Sequence, residues 1–217
     1  MIRLVETLHG EMFIDDECNG LGRTISQQGF YEQQVGDYVK GLCEGTVFLD
    51  VGAHMGYFST MAIAHKADFV ISVEPCPKNF KVLVSNMALA TVKEDRKYFT
   101  VQCALSDKFG TGNLSYSTNN NTGDTRLTEE DGHVRIVRGD YLLATMGTRR
   151  VDFIKLDVQG YEVKALAGLA GIEWKRAIME INGDVEAIKK DLESIYGSLK
   201  FDERWMNQLV VIREDVQ

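Results

Sequence analysis

Short apolar runs alternate along this chain with stretches in which apolar residues recur at helical spacing. Runs at 46–50, 69–73, 98–104, 151–156 and 176–181 read as buried strands. Helical patterns follow near 57–66, 77–90, 162–170 and 184–195, and the pair 198–203 and 208–213 closes the chain as an antiparallel hairpin. Alternating βα units predict a mostly parallel sheet with helices on both faces. Ahead of them, residues 2–14 alternate around Gly10-Glu11 and predict a short hairpin. Residues 29–40 then suit an amphipathic helix, with Phe30, Val35, Tyr38, Val39 and Leu42 near helical spacing. Residues 110–139 break the rhythm between the third and fourth strands. They hold Asn119-Asn120-Asn121-Thr122-Gly123 between two β-prone pieces. Long connections inside compact domains tend to be functional or disordered, so this one is expected to face a substrate. The alternative is a solvated polar loop. With no repeat and no linker, the expectation is a single domain over 1–217. Residues 1–45 supply the N-terminal hairpin and helix, and 46–217 the core.

Composition narrows the class. The 217 residues are 44% hydrophobic, ample for a core, and no apolar run approaches the ~20 residues that span a bilayer. Met1–Glu6 lacks the long apolar stretch and cleavage site of a signal peptide. The cysteines stand at 18, 43, 76 and 103 without a Cys-x-x-Cys pair. That pattern suits reduced thiols in a cytoplasm and argues against a structural metal site. A net charge of -8 disfavours a broad nucleic-acid footprint, which needs a basic face.

The chemistry concentrates at strand ends. Val47–Asp50 runs into Val51-Gly52-Ala53-His54-Met55-Gly56-Tyr57-Phe58, a glycine-rich turn that opens a helix. Val70–Val73 ends about twenty residues later in the single carboxylate Glu74. Such a pair describes a nucleotide-like cofactor lying across two strand ends. A dinucleotide pyrophosphate usually takes Gly-x-Gly-x-x-Gly. Here Gly52 and Gly56 form Gly-x-x-x-Gly behind Asp50, the pattern of S-adenosylmethionine (SAM) enzymes. Small residues would let the backbone approach the methionine part of SAM, and the helix N-terminus would favour its carboxylate. Asp50 would accept from loop N–H groups or the ligand ammonium, and Glu74 from the ribose hydroxyls. The turn Ala104-Leu105-Ser106-Asp107 would lie under the adenine, with backbone groups of Ala104 or Leu105 on the ring edge. A structural turn is the competing reading there.

Strand 151–156 delivers Asp157 at its carboxyl end, where open α/β sheets bind ligands. Asp157 is therefore the candidate general base facing the transferable methyl. The alternative makes Asp157 and Glu162 helix-capping acids. His54 reads either as a proton carrier or as a loop side chain near the cofactor.

These motifs occur in an order that resembles the FkbM family of SAM-dependent methyltransferases, over roughly residues 25–181. The resemblance rests on Tyr31-Glu32, Asp50–Phe58, Val73-Glu74-Pro75, Ala104–Asp107 and Ile154-Lys155-Leu156-Asp157-Val158-Gln159-Gly160-Tyr161-Glu162. It implies a Rossmann-like class I methyltransferase fold, with a mostly parallel seven-stranded sheet ending in an antiparallel hairpin. It also implies O-methylation of a sugar or small natural product, and it places Tyr31 and Glu32 near the cofactor together with Gly52, Ala53, Gly56, Tyr57 and Phe58. His54 stands where the family often has Asn, and Gln159 where it often has Glu. Two other functions compete. A ribose 2′-O nucleic-acid methyltransferase would want a lysine at the end of the fifth strand, where Glu180 stands. A non-catalytic SAM-binding module would hold the cofactor without turnover. Neither the acceptor nor the oligomeric state is legible.

Overall fold

The computed structural model describes residues 1–15, 20–93, 95–116, 125–205, 207–214 and 216. The chain opens with an antiparallel hairpin, β1 (Ile2–Thr7) and β2 (Gly10–Asp15), followed by helices α1 (Leu21–Gln28) and α2 (Gln33–Lys40). β3 (Val47–Val51), α3 (Tyr57–Ala64), β4 (Phe69–Val73), α4 (Pro77–Lys93) and β5 (Lys97–Val101) make the first βα half. Four short strands come next: β6 (Ala104–Ser106), β7 (Gly110–Tyr116), β8 (Thr125–Thr128) and β9 (Val134–Arg138). After α5 (Gly139–Thr145) come β10 (Arg150–Leu156), α6 (Glu162–Ala167), β11 (Glu173–Glu180), α7 (Val185–Tyr196), β12 (Leu199–Arg204) and β13 (Gln208–Arg213).

The central sheet has seven strands in the order β12-β13-β11-β10-β3-β4-β5. β3, β4, β5, β10 and β11 are parallel, and β13 runs antiparallel to both β11 and β12. The order reverses between β3 and β10. Their carboxyl ends therefore diverge into a crevice at the switch point. The sheet is buried on both sides, because each face carries its own apolar cluster. Phe48, Phe153 and Ile178 pack with α2, α3 and α4 on one face. Leu49, Leu156 and Met179 pack with α6 and α7 on the other. That burial explains why the central strands read as near-continuous apolar runs.

Three stretches differ from the expectation. The strand expected over 98–104 ends at Val101, and Ala104–Ser106 joins a second, four-stranded sheet of order β6-β9-β7-β8. The segment 110–139 is therefore largely strand in its described part. The Asn-rich stretch 118–123 lies outside the described residues. The N-terminal region carries two helices and not one. α1 escaped notice because Leu21 and Ile25 are the only large apolar residues in its sequence.

Candidate functional site

The crevice at the switch point opens into a cavity of about 250 Å³. One wall is the turn after β3, where Val51, Gly52 and His54 meet the end of β10 at Asp157 and Val158. Gly52 has φ +80, and its N–H and that of Ala53 both bond the Val73 carbonyl, at 2.9 and 3.0 Å. Gly56 has φ +88, and a Cβ there would lie 2.6 Å from Leu83 Cδ1 on α4. The second glycine thus has a packing reason that involves no ligand. Residue 54 also sits in the left-handed region, with φ 52. Asn and His are among the non-glycine residues that best tolerate that backbone, so histidine is physically at home there. Burial holds the His54 imidazole down at about 4, so it is uncharged near neutral pH.

Glu74 lines the cavity and is 5% exposed. Its Oε2 accepts the His54 N–H and its Oε1 the Cys76 N–H, both at 2.8 Å. Burial raises its carboxyl to about 7 against those hydrogen bonds. The Asn79 side chain is a third donor to this carboxylate, which leaves one of its four lone-pair directions for a further donor.

Register explains the interior charges. Ser72, Asp50 and Lys155 are cross-strand partners on β4, β3 and β10, so they form a row on the face toward α3. Asp50 Oδ2 accepts from Ser59 Oγ at 2.6 Å, and Ser59 in turn accepts from Ser72 at 2.8 Å. Lys155 Nζ lies 4.5 Å from the centroid of the Phe58 ring and 3.2 Å from Asp157 Oδ2. Burial alone would lower the lysine, but Asp157, Asp50 and Glu32 outweigh it and raise its pKa. Burial pushes Asp157 up, yet Lys155 and the Gln159 amide outweigh it and hold Asp157 below its ordinary value.

Asp157 does not hold the turn that follows. Glu162 does: its carboxylate accepts the N–H groups of Val158 and Gly160, at 3.1 and 3.0 Å. The Gln159 side chain donates from Nε2 to Asp157 Oδ1 and to Glu180 Oε2, each at 2.9 Å. Glu180 ends β11, one strand over, and Asn207 Nδ2 donates to its Oε1 at 2.8 Å. Burial, and then the Asp157 charge, raise Glu180 to about 7. The mouth of the site carries Tyr31, whose hydroxyl bonds the Glu32 carboxylate. Glu32 has φ 44 and Gln159 φ 53, so Glu32, His54 and Gln159 place left-handed backbone at three points of one site. Such strain persists where surrounding contacts over-determine it.

Of the residues picked out by sequence, the structure brings Tyr31, Gly52, Glu74, Ala104, Leu105 and Asp157 to the cavity wall. Glu32, Asp50, Ala53, Gly56, Tyr57 and Phe58 stand behind it. Tyr57 is 3% and Phe58 5% exposed, and they support Tyr31 and Lys155 by ring contacts. Sequence reading did not pick out Leu21 and Thr24 of α1, Leu114 and Leu127 of the second sheet, or Tyr161, all of which line the cavity. It also gave no site role to Lys155. A lysine set among Phe153, Ile154 and Leu156 in β10 was the available signal. Cys43, Cys76 and Cys103 are free thiols, all buried, and Cys18 lies outside the described residues. Among the described residues no group of His, Cys, Asp and Glu is placed to hold a metal ion, and no helix is long and apolar enough to cross a membrane.

A sheet of this order, with a glycine turn after its first central strand and acids ending the next ones, defines a class I SAM-dependent methyltransferase. The chain belongs to the FkbM methyltransferase family: the model of the methyltransferase FkbM domain matches residues 50–205. The match begins at Asp50, so Tyr31 and Glu32 lie outside it. SAM is the cofactor. A curated relative, the methyltransferase sdnD of Sordaria araneosa, is 24% identical over 217 residues, covering 82% of this chain and 83% of its own. Solved structures share the fold at lower identity. An O-methyltransferase from Bacillus cereus in complex with S-adenosylhomocysteine (SAH) superposes with a TM-score of 0.53 at 13% identity, over 92% of this chain and 91% of its own. M. jannaschii TYW2 in complex with SAM gives 0.55 at 12% identity, over 97% and 84%.

The cavity wall fits SAM chemically. A buried carboxylate faces it at Glu74, apolar groups at Val73, Ala104 and Leu105, and a second carboxylate at Asp157. These suit a diol, a base and a cationic centre in turn.

Proposed function

We propose that this protein transfers a methyl group from SAM to a hydroxyl of a small polyhydroxylated acceptor, a sugar or a natural product. The observation that carries this reading is Asp157: a carboxylate on the cavity wall, held by the side chains of Lys155 and Gln159 and not used by the turn. Glu74 accepts from a ribose hydroxyl, and the corner at Ala104-Leu105 takes the adenine. Leu114 and Leu127 belong to the same second sheet as that corner, so they close the base side. Leu21, Thr24, Tyr31 and Tyr161 then leave room for the acceptor near Asp157.

When bound, SAM supplies an electrophilic methyl. The chain must orient the acceptor oxygen and accept its proton. Asp157 is ionised at neutral pH because Lys155 neutralises it, so it accepts a hydrogen bond from the hydroxyl at every physiological pH. The family membership and the tyrosine-lined mouth support a small acceptor, and the acidic charge of -8 weighs against a nucleic acid. The test is SAH release on incubation with SAM and, in turn, sugars, glycosides, phenols, amines and RNA. Release with hydroxylated compounds alone supports the reading. Release only with amines, or only with RNA, overturns it.

A further inference from the structure

The end of β11 holds a carboxyl that the transfer as described leaves unused. Glu180 sits beside Asp157 on the neighbouring strand, since Leu156 and Met179 are register partners and each acid is the next residue after its partner. The two carboxyls hydrogen-bond one another. The Gln159 amide has two hydrogens, and it gives one to each acid at 2.9 Å. That use is complete. A carboxylate at 159 would offer no donor to either acid and would add a third negative charge between them.

We propose that Glu180 is a positioning residue of the methyl transfer, forming with Asp157 a one-proton carboxyl pair that carries the acceptor's proton from the cavity to the outer end of the sheet. The inference rests on the function proposed above. Asp157 alone is a poor final resting place for that proton, because the buried Lys155 ammonium stands 3.2 Å away and favours its charged form. Glu180 has no such cation. It faces Asp157 and Glu32, and Gln159 and Asn207 are its donors. A lone pair of the acceptor oxygen forms the bond to the methyl carbon, and the carbon–sulfur pair leaves with sulfur. The SAM sulfonium has by then driven the pair's own proton to water, so the hydroxyl proton passes to Asp157, moves on to Glu180 and restores the one-proton pair. Glu180 is partly exposed, so it gives that proton to water when the next SAM binds. Around the pair the charged and titratable groups are Lys155 on β10, Asp50 on β3, His54 in the turn after β3, Glu162 at the start of α6, and Tyr31 and Glu32 ahead of α2.

The pair has a signature that needs no acceptor. SAM carries a sulfonium charge that must lie by Asp157 if the transfer is to occur, and SAH carries none. A cation brought to the pair displaces its proton. Calorimetric titration with SAM and with SAH at pH 7, in buffers of low and high ionisation enthalpy, counts protons released. Both ligands present the same ribose to Glu74, so the difference between them cancels any contribution from that acid. The expected difference is a sizeable fraction of one proton, since Glu180 sits at about 7. Glu180→Gln should abolish it and keep SAM affinity within about threefold. Asn207→Ala alters only an exposed turn residue and removes a donor that favours the charged acid, so it should enlarge the difference. An equal difference in wild type and Glu180→Gln, or none in wild type, overturns the pair while leaving SAM binding intact. Failure of SAM to bind at all overturns the underlying function instead, and the inference with it.

Discussion

Gly52 and Asp157 touch backbone to backbone: a Cβ on Gly52 would lie 1.9 Å from the Asp157 carbonyl oxygen. The Asp157 N–H donates to the Val51 carbonyl at 3.0 Å, so the two strand ends are latched on both sides of the contact. The turn proposed to hold the cofactor and the acid proposed to face the acceptor are therefore one rigid unit. Gly52→Ala must either part the strands or strain φ +80. It should cost on the order of 1–3 kcal/mol of stability and lose SAM binding together with the acid's placement. Urea denaturation paired with SAM titration checks this. A variant of normal stability and affinity would show that the latch does not matter.

Glu74 couples stability to pH. Its carboxyl rises from 4.5 to about 7 on folding because it is buried. A raised acid binds its proton more tightly in the folded state. Its contribution is therefore complete below about 4.5 and is lost as pH rises through about 7. A shift of that size corresponds to roughly 3 kcal/mol. Glu74→Gln should remove most of that slope between pH 5 and 8 and weaken SAM binding by ~1.5–3 kcal/mol, the range for hydrogen bonds to a charged group. Glu74→Ala is a poorer probe, because the backbone N–H groups of His54 and Cys76 lose their acceptors. Chemical denaturation across that pH range is the measurement. An unchanged slope in the glutamine variant would assign the pH dependence elsewhere.

Asp157 and Glu162 separate by role. Asp157→Asn keeps the shape and the Gln159 neighbour but removes most of the basicity. Turnover should fall by about 10²–10⁴, and SAM should lose affinity relative to SAH because its sulfonium loses the charge beside it. The same change leaves the buried Lys155 without its closest counter-charge, so a drop in melting temperature is expected as well. Glu162→Gln should act through the turn it holds, lowering stability and affinity together. Near-normal turnover in Asp157→Asn would remove the acid from the reaction.

The second sheet gives a discriminating pair. Leu127 flanks the proposed base side and Leu21 the acceptor side. Leu127→Ala should weaken SAM and SAH equally, by about 1–2 kcal/mol for lost apolar contact. Leu21→Ala should leave both cofactor affinities unchanged and raise the KM for the acceptor. Reversed effects would exchange the two sides of the cavity.

The parallel core and the acids at its strand ends were legible because buried strands and glycine turns leave strong local signals. Gly52, Glu74 and Asp157 each follow an apolar run directly. What the sequence hid depends on register. Asp50 looked like a ligand contact by its position before the glycine turn. Side-chain alternation turns it instead toward Ser59 and Lys155 inside the sheet. The strand expected to reach residue 104 stops at Val101, since β6 pairs with β9 over 30 residues away, a partner no local pattern announces. Gln159 read as a lost charge; in space its amide joins Asp157 to Glu180, a relationship between two adjacent strands.

The most direct test of methyl transfer to oxygen is product analysis with SAM labelled with ¹³C in its methyl group. The chain is incubated with that SAM and fractionated extract, and the chemical shift of the transferred methyl is read by NMR. An O-methyl signal that grows with SAH and is lost in Asp157→Asn is expected. A methyl on nitrogen, or SAM bound without any SAH formed across all fractions, would contradict it.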